Sequence, residues 1–182
     1  MNKVIIFPTD TVYGIGTPIL DKEGIRKIYE IKGRDFNKPL AVLCSNLDQM
    51  TEFGYVTDDA VKLAKAFWPG ALTLILKSKP DYAKESGEVT IGVRMPNHPL
   101  ALKIIAMHGP MKTTSVNNSG EAPLNDYAII KERYADKVDY IYPNDQKLSE
   151  VSSTVVDLTQ DEPKILRLGD ITLEDIKKVL QK

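Results

Sequence analysis

Short apolar runs that stop at proline, glycine or polar residues recur along this 182-residue chain, and they outnumber the helical segments. Val4 to Phe7, Leu40 to Cys44, Ala71 to Lys77, Val89 to Arg94, Met111 to Ser115, Val138 to Tyr142, Ser153 to Leu158 and Lys164 to Leu168 all read as strands. In Ala71 to Lys77, Leu72, Leu74 and Leu76 fall on one face and Thr73 and Ile75 on the other. Several strands follow one another with no helix between them, which predicts a mixed sheet rather than an all-parallel one.

The helical segments are fewer and carry start signals. Asp21 caps a helix to about Ile31, with Ile25, Ile28 and Tyr29 on one face. Ser45 is placed to cap a short helix through Met50, and Thr57 caps another that Pro69-Gly70 ends. Pro99 to Met107 is predicted helical, as is a segment from Asp126 to about Tyr134. Thr172 with Asp175 three residues on starts a last helix. Lys79 to Gly87 reads as a polar loop. There is no repeat, low-complexity tract or linker, so residues 1–182 are predicted to form one α/β domain, a mixed sheet flanked by helices.

Composition excludes several classes. At 42% apolar and 27% charged residues, the chain matches a globular protein. Net charge is -1, so a polyanion site must be a local patch rather than a global excess. The lone cysteine, Cys44, cannot form an intrachain disulfide, which predicts a reducing compartment. The first apolar run is too short for a signal peptide or a membrane span, so a cytoplasmic, non-membrane protein is expected.

Standard nucleotide fingerprints are absent. There is no G-x-x-x-x-G-K-[ST], and Gly14-x-Gly16 lacks a third glycine at the right spacing. His98 and His108 have no metal-ligand spacing and read as helix-start and helix-end residues, so no protein-held metal is expected. What stands out instead is polar and cationic residues at strand ends: Thr9-Asp10-Thr11, Thr90 and Arg94, Thr113 to Asn117, Ser152 to Thr154, and Arg167. Lys32, Arg34 and Lys38 crowd into seven residues around Gly33 and before Pro39. If these ends share one face, up to five cations and many hydroxyls line a cleft able to neutralise a triphosphate with one Mg²⁺. The same cations also fit a basic helix end complementing the helix dipole, and each hydroxyl also fits a local turn.

Six segments in order identify a resemblance over nearly the whole chain. They are Pro8-Thr9-Asp10-Thr11-Val12-Tyr13-Gly14-Ile15-Gly16, Lys32-x-Arg34 with Lys38-Pro39-Leu40, Trp68-Pro69-Gly70-Ala71-Leu72-Thr73, Val93-Arg94-Met95-Pro96, Ser115-Val116-Asn117-Asn118-Ser119-Gly120 and Ser153-Thr154-Val155-Val156-Asp157. Together they resemble the YrdC-like family, the threonylcarbamoyl-AMP synthases of tRNA modification, in their short, single-domain form. The resemblance implies a twisted open sheet with a basic concave cleft. It implies a nucleotidyl transfer from ATP to N-carboxythreonine, formed from L-threonine and bicarbonate. The product serves tRNA threonylcarbamoyl transferase machinery acting at adenosine 37, and weak direct tRNA binding is compatible with it.

By the same resemblance Lys32, Arg34, Ser115 and Asn117 are the catalytic set. Thr11, Arg94 and Thr113 match threonine-binding positions. Arg34, Lys38, Thr90, Ser115, Ser153 and Arg167 match positions around ATP, with Mg²⁺ arriving on the nucleotide. Lys32, Arg34 and Lys38 are expected to form one cleft wall, with Ser115 and Asn117 facing them. Asp35, Val116, the shifted Glu121-Ala122-Pro123 and Leu43, where some relatives use a histidine, depart from the pattern. An RNA-binding module using the cleft and a paralogue adenylating another carbamoyl or acyl substrate are the competing classes.

Overall fold

The computed structural model describes residues 3–182. In chain order the elements are β1 (Ile5–Phe7), β2 (Gly14–Pro18), α1 (Lys22–Lys32), β3 (Ala41–Leu43), α2 (Leu47–Phe53), α3 (Asp58–Phe67), β4 (Leu72–Lys77) and α4 (Pro80–Ser86). They continue as β5 (Thr90–Arg94), α5 (Pro99–His108), β6 (Met111–Ser115), α6 (Tyr127–Tyr134), β7 (Tyr140–Ile141), β8 (Thr154–Asp157), β9 (Lys164–Arg167) and α7 (Leu173–Leu180). All nine strands join one sheet in the order β7-β1-β2-β6-β3-β5-β4-β8-β9. The sheet is mixed, as the sequence predicts: β1/β7, β3/β5 and β4/β8 are parallel and the other pairs antiparallel.

The two faces of this sheet have different cover. Cross-strand partners point to the same side, so the registers Ile6↔Ile15↔Thr114 and Lys112↔Val42↔Val93↔Leu74↔Val156 trace one face. That face is closed by most of the helices. Ile28 and Tyr29 of α1 and Ile130 and Tyr134 of α6 pack on Ile6 and Ile15. Met50 of α2, Leu63 of α3, Tyr82 of α4 and Ile176 and Leu180 of α7 pack on Leu72, Leu74, Leu76 and Val93.

On the opposite face, among the described residues, α5 supplies cover. Its Ala101, Ile104 and Ile105 pack on Ile5, Phe7, Leu43 and Met111. Among the described residues, the remainder of that face, centred on β5, β4 and β8, opens into the cavity described below. Apolar burial accounts for the closed face. Besides Ala41, Leu43, Ile75 and Val155, the open face carries threonines, serines, glycines and arginines, which have little apolar area to bury.

Three elements differ from the sequence reading. β2 (Gly14–Pro18) is a strand where the sequence reading placed none. Lys79 to Gly87 is not a loop. Pro80 opens α4, Tyr82 is buried edge-on to Phe53, and Gly87 closes the helix in the left-handed conformation (φ 76°). The proline-first, glycine-last signal was present, but the buried partner of Tyr82 is visible only in three dimensions. The cap of α2 is Asn46 rather than Ser45. The Asn46 side chain accepts from the Gln49 amide at 3.0 Å, and the Ser45 amide donates to Gln49 Oε1 at 2.7 Å.

Candidate active site

The uncovered face encloses a cavity of ≈ 320 Å³. Its wall brings together Thr9, Thr11, Arg34, Thr90, Arg94 and Thr113, and further round Ser115, Thr73, Ser153 and Arg167. Between them lie small or apolar residues: Ala41, Leu43, Ile75, Gly92 and Val155. The lining thus holds three arginines and no carboxylate. Lys32, Lys38 and Asn117, which the sequence grouped with the site, stand outside this lining.

Arg94 is the hub of one end. It closes β5 and is almost fully buried, with 5% exposure. Nη1 donates to Asp10 Oδ1 at 2.8 Å and to the Gly70 carbonyl at 3.1 Å. Nη2 donates to the hydroxyls of Thr9 at 3.2 Å and Thr11 at 3.0 Å. A buried guanidinium needs both a counter-charge and acceptors for its fork of donors, and the Thr9-Asp10-Thr11 turn supplies both. The 143–153 segment braces that turn from behind, because the amides of Ser149 and Glu150 donate to the carbonyls of Asp10 and Thr11 at 2.9 and 2.8 Å.

Lys32 ends α1, and its ammonium reaches back under β6. It donates to the carbonyls of Ser115 at 2.5 Å and Asn117 at 3.0 Å, and also to Asn117 Oδ1. The Ser115 hydroxyl donates to the same Oδ1 at 3.1 Å, and Asn117 Nδ2 donates to the Glu121 carbonyl at 2.6 Å. Lys32 therefore joins the Ser115–Asn117 segment directly rather than facing it across the cleft. Burial, and then the nearby Arg34 guanidinium, push the Lys32 pKa down to about 8, while three oxygen acceptors favour its charged form.

Gly33 makes this geometry possible. It takes the left-handed conformation (φ 59°) and donates to the carbonyls of Glu30 and Tyr29, ending α1. Lys32 can then point inward while Arg34, one residue beyond the glycine, reaches the cavity. Arg34 is half-buried, with Nε donating to the Lys38 carbonyl at 3.2 Å and Nη2 to the Pro39 carbonyl at 3.1 Å. Lys38 is exposed, and its carbonyl also accepts from Tyr29 Oη at 2.7 Å. Phe36 stacks on Tyr29 with ring centroids 4.8 Å apart. Asp35 Oδ1 accepts from the Asn37 amide at 2.9 Å. Phe36 and Asp35 thus stiffen the 34–39 strap.

The side of the cavity next to Arg94 across β4 is built by β4, β8 and β9. Thr73 and Ser153 share a hydrogen bond of 2.8 Å. Arg167 anchors on Ser153, with Nε to its carbonyl at 2.9 Å and Nη2 to its hydroxyl at 3.2 Å. Desolvation and then the neighbouring Arg94 lower the Arg167 pKa, yet an arginine stays charged near neutrality. Thr73 was not among the predicted site residues. Its signal was the alternation in β4, where Thr73 and Ile75 turn away from the leucine face.

Other candidates resolve into structural roles. His98 caps α5, its Nδ1 accepting from the Leu100 amide at 3.2 Å. Cys44 is buried, which pushes its thiol up to about 12 and removes it as a nucleophile. Leu43 presents an apolar side chain to the cavity. Among the described residues no group of three or more His, Cys, Asp or Glu could hold a metal ion.

The fold and site define an α/β protein whose ligand cavity lies on the open face of a mixed sheet, framed by arginines and hydroxyls. The Sua5, YciO and YrdC family model, described as "Telomere recombination", matches residues 1–169, and the chain belongs to this family. It is 36% identical to threonylcarbamoyl-AMP synthase of Pyrococcus abyssi, covering 98% of this chain and 54% of that protein. It is 38% identical to threonylcarbamoyl-AMP synthase of Bacillus subtilis, covering 98% and 53%. The structure superposes on P. abyssi Sua5 complexed with L-threonine with a TM-score of 0.91, covering 98% of this chain and 54% of that one. On the crystal structure of Escherichia coli YciO the TM-score is 0.86 at 30% identity, covering 96% and 87%. The chain therefore spans about half the length of the two synthases it matches. No described helix is long and apolar enough to cross a membrane.

Proposed function

We propose that the protein is an L-threonylcarbamoyladenylate synthase. L-Threonine and bicarbonate give N-carboxythreonine and water. A carboxylate oxygen of N-carboxythreonine then bonds to the α-phosphorus of ATP, the bond from that phosphorus to the β-phosphate bridge breaks, and pyrophosphate leaves. The observation that carries this reading is the cavity on the open sheet face, with its three arginines and no carboxylate, in a fold matching a Sua5 complexed with L-threonine.

The reacting groups are both anions, so the protein's task is to hold them together and offset charge on the phosphates. No protein nucleophile is needed. Thr11, Arg94 and Thr113 are assigned to L-threonine, at the end where Asp10 fixes Arg94. Arg34, Thr90, Ser115, Ser153 and Arg167 are assigned to the nucleotide, with Lys38 reaching it only by a change in the 34–39 strap. Lys32 and Asn117 act by shaping the Ser115 segment. Mg²⁺ would supply charge neutralisation on the triphosphate, held by phosphate oxygens and water rather than by a carboxylate cluster. The protein works in the cytoplasm, and its product is consumed by tRNA threonylcarbamoyl transferase machinery.

The test is pyrophosphate release from ATP, which should require both L-threonine and bicarbonate. The competing reading is the same chemistry on a different carbamoyl or acyl substrate. Release that proceeds equally well without threonine favours this second reading.

A further inference from the structure

One glycine has no explanation inside the protein. Of the chain's glycines, Gly33, Gly87, Gly109 and Gly120 have positive φ, and Gly14, Gly16, Gly24, Gly54, Gly70 and Gly169 would each bring an added Cβ to 3.0 Å or less from a neighbour. Gly92 does neither. A Cβ there would meet Thr73 Cγ2 at 3.5 Å and Ile75 Cγ1 at 3.9 Å, ordinary van der Waals contact. Yet Gly92 sits mid-strand in β5 between the buried Ile91 and Val93, where a glycine weakens the strand. A mid-strand glycine that nothing in the protein requires points to something outside the protein that approaches the backbone.

Its position says what that is. Gly92 lines the cavity, opposite Ile75 in the β4/β5 register. Continuing the Val42↔Val93 and Leu43↔Arg94 pairing brings Ala41 alongside, so the floor here is two small residues wide. Along β5, Thr90 and Arg94 lie two residues to either side on the same face, roughly 7 Å each way. Thr90 is assigned to the nucleotide and Arg94 to the amino acid, so Gly92 underlies the junction of the two ligands.

We propose that Gly92 is a positioning residue that keeps the floor low where the carbamate carboxylate of N-carboxythreonine meets the α-phosphate. A methyl group there enters the space of the reacting atoms and holds the two ligands apart, while each ligand's own anchors are untouched. This inference rests on the synthase reading.

The experiment compares Gly92→Ala and Ala41→Val with the wild-type protein. Threonine-dependent pyrophosphate release should fall by about tenfold or more in kcat in both variants, since misalignment of about 1 Å has such effects. Binding of L-threonine alone and of ATP alone should stay within about threefold of wild type. The Gly92→Ala melting temperature should equal or exceed wild type. Wild-type kcat in both variants overturns the inference. So does loss of either single ligand's binding, which assigns the space to one subsite, or a lowered melting temperature for Gly92→Ala, which assigns it to packing. Normal wild-type turnover with unimpaired variants removes only this inference, whereas no threonine-dependent turnover by the wild type removes both.

Discussion

The Lys32 ammonium donates to the Ser115 carbonyl at 2.5 Å, tying the end of α1 to the end of β6 across 83 residues of sequence. The tie is buried: Lys32 is 3% exposed. It converts two motifs that look like separate walls into one, with the Asn117 side chain held by the cation and the Ser115 hydroxyl donating to the same Asn117 Oδ1.

Removing that cation should affect both stability and turnover. Lys32→Met takes this donor from the Ser115 and Asn117 carbonyls and leaves Asn117 Oδ1 with the Ser115 hydroxyl, and each unsatisfied buried group costs about 1–3 kcal/mol. A destabilisation of roughly 2–4 kcal/mol in urea melts is expected, with a loss of pyrophosphate release. The difference should also depend on pH. With a folded pKa of about 8, below its unfolded value, Lys32 is protonated in the unfolded chain but deprotonates earlier in the folded one. The unfolded state then binds more protons between about pH 8 and pH 10.5, so wild-type stability should rise relative to Lys32→Met across that window. A pH-independent difference would contradict the burial of its charge.

Arg94 and Asp10 should behave as a coupled pair. Asp10→Asn leaves a buried guanidinium without its counter-charge, and breaking such a pair costs about 3–5 kcal/mol. Because the Asp10 side chain is 18% exposed, the lower end of that range is expected. A double-mutant cycle with Arg94→Gln, read by denaturant unfolding, should give a coupling energy near 1–3 kcal/mol. Arg94→Lys should raise KM for L-threonine even where the fold survives, because lysine lacks the fork that spans Asp10, Gly70, Thr9 and Thr11.

Arg34→Ala should separate function from folding. Its bonds to the Lys38 and Pro39 carbonyls are at the surface, so the loss of stability should be about 1 kcal/mol or less. Turnover should fall by about a hundredfold or more, as for loss of one transition-state donor. Near-normal product formation by the folded variant would remove Arg34 from the catalytic set.

Trp68→Ala tests packing against the core of the closed sheet face. Trp68 is half-buried, with Nε1 donating to the Leu72 carbonyl at 2.7 Å. A fully buried tryptophan would give about 3–5 kcal/mol on truncation, so about 2–3 kcal/mol is expected here. Thermal unfolding of the variant measures it.

Much of the architecture was legible in local pattern. The caps at Asp21, Thr57, Asp126 and Thr172 each accept from a backbone amide near the helix start, as the sequence reading had it. α4 was missed because its single buried aromatic, Tyr82, leaves no periodic apolar stripe. The site was legible as residue types at strand ends, since polar groups there have no local partner and must find one elsewhere. Their roles were less so. Lys32 and Lys38 are equal as cations in the sequence, yet one is buried under β6 and the other is exposed.

The sequence by itself determined a mixed α/β sheet, its helix caps and the chemistry gathered at its strand ends, because these depend on side-chain period and on bonds within a few residues. The tertiary structure alone decided which sheet face stays open, that Asp10 and Arg94 pair across 84 residues, and that a Cβ on Gly92 would make only ordinary contacts with Thr73 and Ile75. Those outcomes depend on which distant strands become neighbours, and that is set by burial of the whole apolar face at once rather than by any single segment.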